Sequence, residues 1–376
     1  MRPKIGLTTT VPLTEPVVNE EMKEAMIRAF ESKVFLRGKP IEEFERDFAK
    51  YIGVKYAVAV NSGMSGMLFS LLAMNIGKGD KVITTSATFI STVNTIIFAG
   101  AEPLFADINS ASYNINPDKV REAVEKNEEE VKAIIPVHLY GYPCDMDALS
   151  EIARKYNLKV IEDAAQAHGA TYDNKKIGSL GDSGVFSLYP SKIITVAGDG
   201  GIITTNSEEI AEKCREFRDD GIAKDNPYVY NSLGYSARLS TINAAIGRVQ
   251  LKYIDKWNDS RSRIVNLYMR ELRDVGDIKL PPKADTKYGR VWYSFAISTR
   301  YRDQLKEYLE KNDIQCGISY KIPVHLQPPY RKLGFKEGTC PNVEKWSNEI
   351  LSIPLYSQMT EKEAIYVIDH VKKFYQ

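Results

Sequence analysis

The sequence lacks the features that would point to a membrane or a nucleic acid. No apolar run among its 376 residues approaches the ~20 residues of a membrane-spanning helix, and its first ten residues contain no apolar core of a signal peptide. Charge of one sign is not in excess, because 50 lysines and arginines balance 49 acidic residues without forming blocks. We therefore expect this protein to bind neither a membrane nor a nucleic acid.

Cysteine is also scarce. The four cysteines lie far apart, with no CxxC pair, at Cys144, Cys214, Cys316 and Cys340. This usage indicates reduced thiols, and with them a cytoplasmic protein.

What is present fits a globular protein of two domains. Hydrophobic residues make up 43% of the chain and charged residues 26%, which is ordinary for a soluble protein. The chain is too long for one ordinary core. We predict a large domain over residues 1–255 and a smaller α+β domain over residues 256–376.

Strands and helices alternate along the predicted large domain. Short apolar strands are predicted at 56–60, 82–84, 103–105, 133–137 and 159–161. Helical patterns lie at 18–32, 89–98, 116–126 and 145–156. One more helix is predicted to begin at Pro40, and another to run from the turn at 61–65 through Met74. Apolar strands separated by helices predict an α/β fold with a buried, mostly parallel, doubly wound sheet. Ligands bind such sheets beyond the carboxyl ends of the strands, so residues 61–65, Phe89 and Asp163 should meet in one crevice.

The pattern changes after about residue 240. The sequence predicts one long helix over 240–257, strands over 292–297 and 314–319, and helices over 302–311 and 360–374. This mixture predicts the smaller α+β unit.

One lysine and one aspartate carry the main chemical hypothesis. Asp163 lies at the predicted end of a strand, and Lys192 lies 29 residues further along the chain. A lysine amine can form an imine with an aldehyde, and an aspartate can keep a pyridine nitrogen protonated. Pyridoxal phosphate requires both groups. Taken separately, a surface lysine and a helix-capping aspartate are the simpler interpretation of these residues.

Residues near this pair offer further contacts, and for the turn at 61–65, Phe89 and Ser187 there is also a simpler alternative. The turn Asn61–Ser65 would point helix N-terminal N–H groups at a phosphate, or be a Ser-Gly turn with a serine cap. Phe89 would lie on a cofactor ring or belong to the core. Ser187 would donate to the same phosphate or bond the backbone, and Gln166 would contact the phenolic oxygen of the ring.

The ordered motifs resemble the DegT/DnrJ/EryC1/StrS family of sugar aminotransferases. The resemblance extends from Pro12 to Leu355, and its motifs lie at 136–141, 162–169, 181–182, 186–187, 190–192, 198–201, 244–247 and 323–328. It implies a fold-type-I pyridoxal-phosphate-dependent aminotransferase that acts as a homodimer with shared active sites. Its members typically transfer an amino group from glutamate to a keto sugar on a nucleotide carrier.

The resemblance also implies roles for individual residues. Lys192 matches the Schiff-base lysine, Asp163 the partner of the pyridine nitrogen, Gln166 the residue near the ring oxygen and Phe89 the stacking aromatic. The phosphate cradle matches Ser187 and the turn formed by Gly63, Met64 and Ser65. His325 matches an active-site histidine near the substrate. His138 lies in a motif beneath the site, where it is either structural or functional; metal ligation is not expected there, because no second ligand is suitably spaced.

Two positions depart from the family pattern. Met64 stands where threonine is usual, so a side-chain hydroxyl is lost, and Ser62 or Ser65 would have to compensate. Ser236 stands where an asparagine reaches the cofactor phosphate of the neighbouring subunit. A water at Ser236, or Asn231, would have to replace that contact.

The substrate side and the competing functions stay open at this point. Tyr320 and Lys321, within the segment 317–323, would contact sugar or diphosphate, or else face solvent. An aminotransferase acting on a cyclitol ketone of the inosose type is the nearest alternative function. A dehydratase would have histidine in place of Lys192, and a non-catalytic regulatory relative would have no need of Lys192.

Overall fold

The computed structural model describes residues 10–376, so residues 1–9, on which most of the argument against a signal peptide rests, lie outside it. The helices are α1 Glu20–Glu31, α2 Lys39–Ile52, α3 Gly63–Ala73, α4 Ile90–Phe98, α5 Pro117–Lys126, α6 Met146–Lys155, α7 Glu208–Arg218, α8 Thr241–Leu251, α9 Ile254–Glu271, α10 Arg302–Glu310, α11 Pro328–Arg331, α12 Pro341–Glu349 and α13 Glu361–Phe374. The strands are β1 Tyr56–Val60, β2 Lys81–Thr84, β3 Glu102–Phe105, β4 Val131–Ile135, β5 Lys159–Asp163, β6 Thr171–Tyr172, β7 Lys175–Lys176, β8 Ser183–Ser187, β9 Gly201–Thr205, β10 Ile222–Ala223, β11 Asn226–Tyr230, β12 Tyr288–Gly289, β13 Phe295–Ser298 and β14 Ile350–Ile353.

A seven-stranded sheet forms the centre of the molecule, in the order β1-β9-β8-β5-β4-β2-β3. Strand β9 is antiparallel to both of its neighbours, and the pairs from β8 through β5, β4 and β2 to β3 are all parallel. The predicted α/β fold with a mostly parallel sheet is therefore confirmed.

The strands are apolar on both faces because helices cover both. Successive residues of a strand point to opposite faces. Val160 and Phe186 pack into the core that contains α2, α5, α6 and α8, whereas their neighbours Ile161 and Val185 pack against α3 and α4. This arrangement leaves the strand ends, rather than the sheet faces, free to build a site.

A separate core lies in the C-terminal part of the chain. Residues of α9, α10 and α13 pack on the antiparallel pair β13–β14 and form a cluster around Tyr268, Phe295, Leu305, Leu351 and Val367. This is an α+β arrangement, as the sequence pattern predicts. The boundary at residue 255 stays a prediction.

Two details of the C-terminal prediction are wrong. The helix predicted over 240–257 is two helices, α8 and α9, separated by a turn at Lys252–Tyr253, because α8 packs against α1 and α2 in the first core while most of α9 packs on the second core. The strand predicted over 314–319 forms only single bridges, from Ile314 to Val11 and from Gly317 to Ser352.

Within residues 10–376, no helix combines the length and the hydrophobicity that crossing a membrane requires. All four cysteines are free thiols, and all but the partly exposed Cys316 are buried.

Candidate active site

A cavity of about 550 Å³ lies beyond the carboxyl ends of β1, β5 and β8. Nine of the residues singled out from the sequence line it: Ser62, Gly63, Met64, Phe89, Asp163, Gln166, Ser187, Lys192 and Tyr320. The crevice expected from the strand order therefore exists, and one cavity contains both the lysine and the aspartate.

Asp163 ends β5 and is 8% exposed. Its Oδ2 accepts a hydrogen bond of 2.7 Å from the Thr92 hydroxyl, and its Oδ1 accepts one of 3.2 Å from the N–H of Ala165. Burial raises the pKa of Asp163 above its ordinary value, although these hydrogen bonds and the charge of Lys192 oppose the shift. A cationic partner in the cavity would favour the ionised carboxylate.

Lys192 lies in the loop after β8, where its N–H donates to the carbonyl of Tyr189 at 2.9 Å. Its Nζ sits 4.7 Å from the ring centroid of Tyr293, and the Tyr293 hydroxyl lies 3.3 Å from that of Ser191. Burial acts to raise the pKa of Tyr293, but the charge of Lys192 and hydrogen bonds from Ser191 and Lys192 outweigh it and lower the pKa. Within the described part of the chain, Lys192 forms no ion pair with a carboxylate.

The N-terminus of α3 forms one end of the cavity. Ser62 caps the helix, since its hydroxyl accepts the N–H of Ser65 at 3.1 Å and its carbonyl accepts that of Gly66. Over residues 10–376, the N–H groups of Gly63 and Met64 make no backbone hydrogen bond. These two donors and the positive end of the helix dipole suit an anion.

Two close approaches shape this turn. A Cβ on Gly201 would lie 2.4 Å from the carbonyl carbon of Ser62, and a Cβ on Gly63 would lie 3.2 Å from the Cβ of Ser187. Glycine at 201 therefore lets β9 pass directly beneath the start of α3, and glycine at 63 lets Ser187 approach it.

Gln166 is held from both sides. Its Oε1 accepts the N–H of Tyr140 at 2.7 Å, and its Nε2 donates to the Tyr320 hydroxyl at 2.8 Å. Tyr320 has a left-handed backbone conformation, with a φ of 58°, and it lines the cavity. Burial raises the pKa of Tyr320 well above its ordinary value, so the phenol stays neutral.

Phe89 lies at the N-cap of α4 and is 61% exposed although it lines the cavity. It therefore lies at the rim of the site rather than in the core. This position favours the hypothesis that its ring stacks on a cofactor ring.

Behind Asp163, its neighbour Glu162 points the other way, into the protein interior. It accepts the N–H groups of Gly178, Leu180 and Gly181 at 2.7–2.9 Å and faces Nε2 of His138 at 3.2 Å. Nδ1 of His138 accepts the N–H of Cys144 at 3.0 Å, so Nε2 carries the proton and donates to Glu162. His138 is completely buried and connects β5 to the loop after β4. Its geometry is that of a structural residue.

Four predicted residues do not line this cavity. The hydroxyl of Ser65 donates to Asn61 at 2.7 Å, and Lys321 is exposed outside the wall. His325 is fully buried, with Nε2 3.0 Å from Glu344, and burial lowers its pKa. Ser236 is exposed, and its Oγ accepts a hydrogen bond of 2.5 Å from Arg238.

Thr92 and Tyr293 line the cavity and contact Asp163 and Lys192, respectively, and neither was singled out from the sequence. Thr92 lies one helical turn after Phe89, a spacing that places both on one face of α4. That spacing was the available signal. Tyr293 reaches Lys192 from the C-terminal part of the chain, and no local pattern marks it. In residues 10–376 no group of three or more His, Cys, Asp or Glu side chains could hold a metal ion.

Comparison with known sequences gives matches over nearly the whole chain. The sequence profile of the DegT/DnrJ/EryC1/StrS aminotransferase family matches residues 16–372. The chain is 39% identical over 363 residues to the pleiotropic regulatory protein of Geobacillus stearothermophilus, covering 95% of this chain and 96% of that one. It is 38% identical over 355 residues to the dTDP-3-amino-3,6-dideoxy-alpha-D-galactopyranose transaminase of Aneurinibacillus thermoaerophilus, covering 94% and 95%.

Comparison with solved structures gives the same result. The crystal structure of S. venezuelae DesV in complex with a ketimine intermediate superposes with a TM-score of 0.94. The two chains are 35% identical, and the match covers 98% of this chain and 99% of that one. The fold class that the motifs imply is confirmed.

Proposed function

This chain belongs to the DegT/DnrJ/EryC1/StrS aminotransferase family, and we propose that it uses pyridoxal 5'-phosphate to transfer an amino group from glutamate to the keto group of a nucleotide-linked sugar. The observation that carries the proposal is the presence of Lys192, Asp163 and the free N–H groups of α3 in one cavity. The dTDP-linked sugar named for the Aneurinibacillus thermoaerophilus relative supports the substrate class.

The residues present fit the proposed cofactor. Pyridoxal phosphate has a phosphate, a basic ring nitrogen and an aldehyde, and the cavity has a complementary group for each. The N–H groups of Gly63 and Met64, with the hydroxyl of Ser187, would hold the phosphate. Asp163 would pair with the ring nitrogen, Lys192 would bind the aldehyde carbon, Gln166 would face the phenolic oxygen, and Phe89 would cover one ring face.

When bound, the cofactor supplies an aldehyde that links to amines and a ring that accepts electrons. Lys192 would have two tasks. It would hold the cofactor between turnovers, and after release its neutral amine would take the α-proton of the amino acid and return it one carbon away. The ring of Tyr293, 4.7 Å from Nζ, limits the directions in which the lysine can move.

Asp163 would keep the ring nitrogen protonated. Its two hydrogen bonds orient the carboxylate, and its burial excludes water that would otherwise screen the charge. The buried aspartate loses less by ionising when a cation faces it, so cofactor binding and carboxylate ionisation should reinforce each other.

The substrate is proposed to enter at the side of Tyr320. The Tyr320 hydroxyl already accepts from Gln166, and a sugar hydroxyl is a suitable further partner. Lys321, next to it and exposed, is proposed to meet the diphosphate of the carrier. His325 is proposed to act on the substrate only indirectly, since it lies behind the wall against Glu344.

We further propose a homodimer with shared active sites. Large apolar side chains are exposed beside the cavity and on the β10–β11 hairpin and the loop that follows it, among them Phe89 at 61%, Tyr228 at 90% and Leu233 at 95%. Clustered exposed apolar groups indicate an interface. Ser236 and Asn231 lie near this hairpin, and one of them is proposed to reach the cofactor phosphate of the second chain. The free thiols support a cytoplasmic location.

Two measurements test the proposal. Purified protein should absorb visible light, lose that absorbance when glutamate is added, and after borohydride reduction carry the cofactor on Lys192 alone. Isotope-labelled glutamate should then transfer its nitrogen to a nucleotide-linked keto sugar, detected as a mass gain. Lys192→Ala should lose both the absorbance and the transfer. Reduction that labels another lysine would overturn the assignment, and transfer to an inosose in preference to every keto sugar would replace the substrate class.

A further inference from the structure

A second recess, of about 410 Å³, lies between one face of α9 and the segment that follows Pro281 and Pro282. It shares no lining residue with the active-site cavity. Its lining includes four cationic side chains and no acidic one: Arg270, Arg273, Lys283 and Arg290. Neutral donors lie between them, including the amide of Asn266. The recess is therefore an electropositive pocket.

Arg290 is the unusual member of this group, because it is only 7% exposed. One guanidinium nitrogen donates to the carbonyl of Pro282 at 2.8 Å, and its carbon lies 3.7 Å from the ring centroid of Trp292. Its Nε has no hydrogen-bond partner among residues 10–376. Burial lowers the pKa of Arg290 to about 9, which records the cost of this charge in its surroundings.

Among the described residues, no carboxylate forms an ion pair with three of these four cations. Over residues 10–376, Arg273, Lys283 and Arg290 form no ion pair, whereas Arg270 pairs with Glu271 at 3.0 Å. The nearby Asp285 is engaged by its own turn, where one carboxylate oxygen accepts the N–H groups of Lys287 and Tyr288. A buried guanidinium without an anion destabilises the folded protein, so an anion from outside the chain would stabilise it by binding here.

We propose that this recess binds a phosphate-bearing anion, with Arg290 as its buried anchor and Arg273 and Lys283 at its rim. Guanidinium groups present forked donors that match phosphate oxygens, and a lysine adds a mobile point charge. Several cations around a pocket of this volume suit a diphosphate better than a single carboxylate. The ring of Trp292 is buried beneath Arg290, which leaves no open aromatic face for a nucleobase.

Isothermal titration of inorganic pyrophosphate into the cofactor-saturated enzyme, at constant ionic strength, tests the site, because the phosphate cradle of the active site is then filled. Binding that depends on Arg273 and Lys283 should saturate at one anion per chain. Arg273→Gln and Lys283→Gln should each weaken it about tenfold, the worth of one charge-assisted contact. Arg263→Gln, exposed on the same helix, and Lys279→Gln, exposed on the adjoining segment, should leave it unchanged.

Inorganic phosphate and a nucleoside diphosphate form the other arms of the experiment. A nucleoside diphosphate that binds more tightly than pyrophosphate, with an affinity that Arg273→Gln and Lys283→Gln lower, identifies a nucleotide as the source at this recess, and equal affinities identify the diphosphate alone. Arg290→Met provides a second readout. It should raise the melting temperature in the absence of anion, since an unpaired buried charge is removed, and abolish the stabilisation that pyrophosphate gives wild type. Absence of saturable binding, or equal affinity in wild type and the two rim variants, overturns the proposal.

Discussion

The hydroxyl of Thr92 donates a hydrogen bond of 2.7 Å to Oδ2 of Asp163, inside the cavity that contains Lys192. Thr88 lies 2.8 Å from the same hydroxyl. Because the Thr92 proton is committed to the carboxylate, Thr88 donates to Thr92. Two threonines on the first turn of α4 and the segment before it thus orient the buried acid.

Thr92→Val should reduce kcat/KM about tenfold, since a hydrogen bond to a charged group is lost. The hydrogen bond from Thr92 lowers the pKa of Asp163, so its loss should also move the acidic limb of the pH–rate profile to higher pH. Thr92→Ser keeps the hydroxyl and should behave almost as wild type. Equal profiles for the two variants would show that Thr92 acts by packing alone.

Asp163→Asn separates stability from catalysis. Burial raises the pKa of Asp163, so the folded protein binds this proton more tightly than the unfolded chain does. Such a group stabilises the fold below its unfolded-state pKa, and the contribution is lost as the pH rises through the folded pKa. Cofactor-free Asp163→Asn should therefore gain stability relative to wild type as the pH rises above about 4, the ordinary pKa of an aspartate in an unfolded chain.

The same variant should lose about 100-fold in kcat, the typical worth of a positioned charge. Urea denaturation at several pH values measures the stability difference without the cofactor, and steady-state kinetics measures the rate. A stability difference that is independent of pH would contradict the ionisation argument.

Gly201→Ala should weaken cofactor binding at least about tenfold, because the new Cβ would lie 2.4 Å from Ser62 and displace the first turn of α3. Gly198→Ala, in the preceding turn, is the matched control. There the new Cβ would meet only the Asn243 side chain, at 3.6 Å. Titration of the cofactor-free proteins with pyridoxal phosphate measures both affinities. Similar affinities for the two variants would exclude this turn from the phosphate site.

Glu162→Gln should destabilise the protein by about 2–3 kcal/mol, because an amide NH₂ would face groups that all donate. At least one of the N–H groups of Gly178, Leu180 and Gly181, or the ring of His138, would lose its buried acceptor. Glu151→Gln, exposed on α6, should leave the unfolding curve in place. An unaltered midpoint for Glu162→Gln would mean that water replaces the lost contact.

The features that depend on local sequence patterns were the easiest to predict. The alternation of apolar strands and helices predicted the parallel sheet, and the order of the strands predicted that Asp163 and Phe89 would meet. Tyr293 could not be predicted in this way, because its contact with Lys192 depends on how the C-terminal part packs. The break between α8 and α9 has the same cause, since apolar periodicity does not show which core each half of a helical pattern joins.

Glu162 and Asp163 are neighbours in β5, yet Glu162 accepts hydrogen bonds in the protein interior, whereas Asp163 faces the cavity. Successive side chains of a strand alternate between its two sides, so a shift of β5 by a single residue would exchange the two acids. The alignment of one short strand with its neighbours thus decides which of the two acids faces the cavity. Deletion of one residue of β5 ahead of Glu162 would disable the enzyme, although every functional group would remain in the sequence.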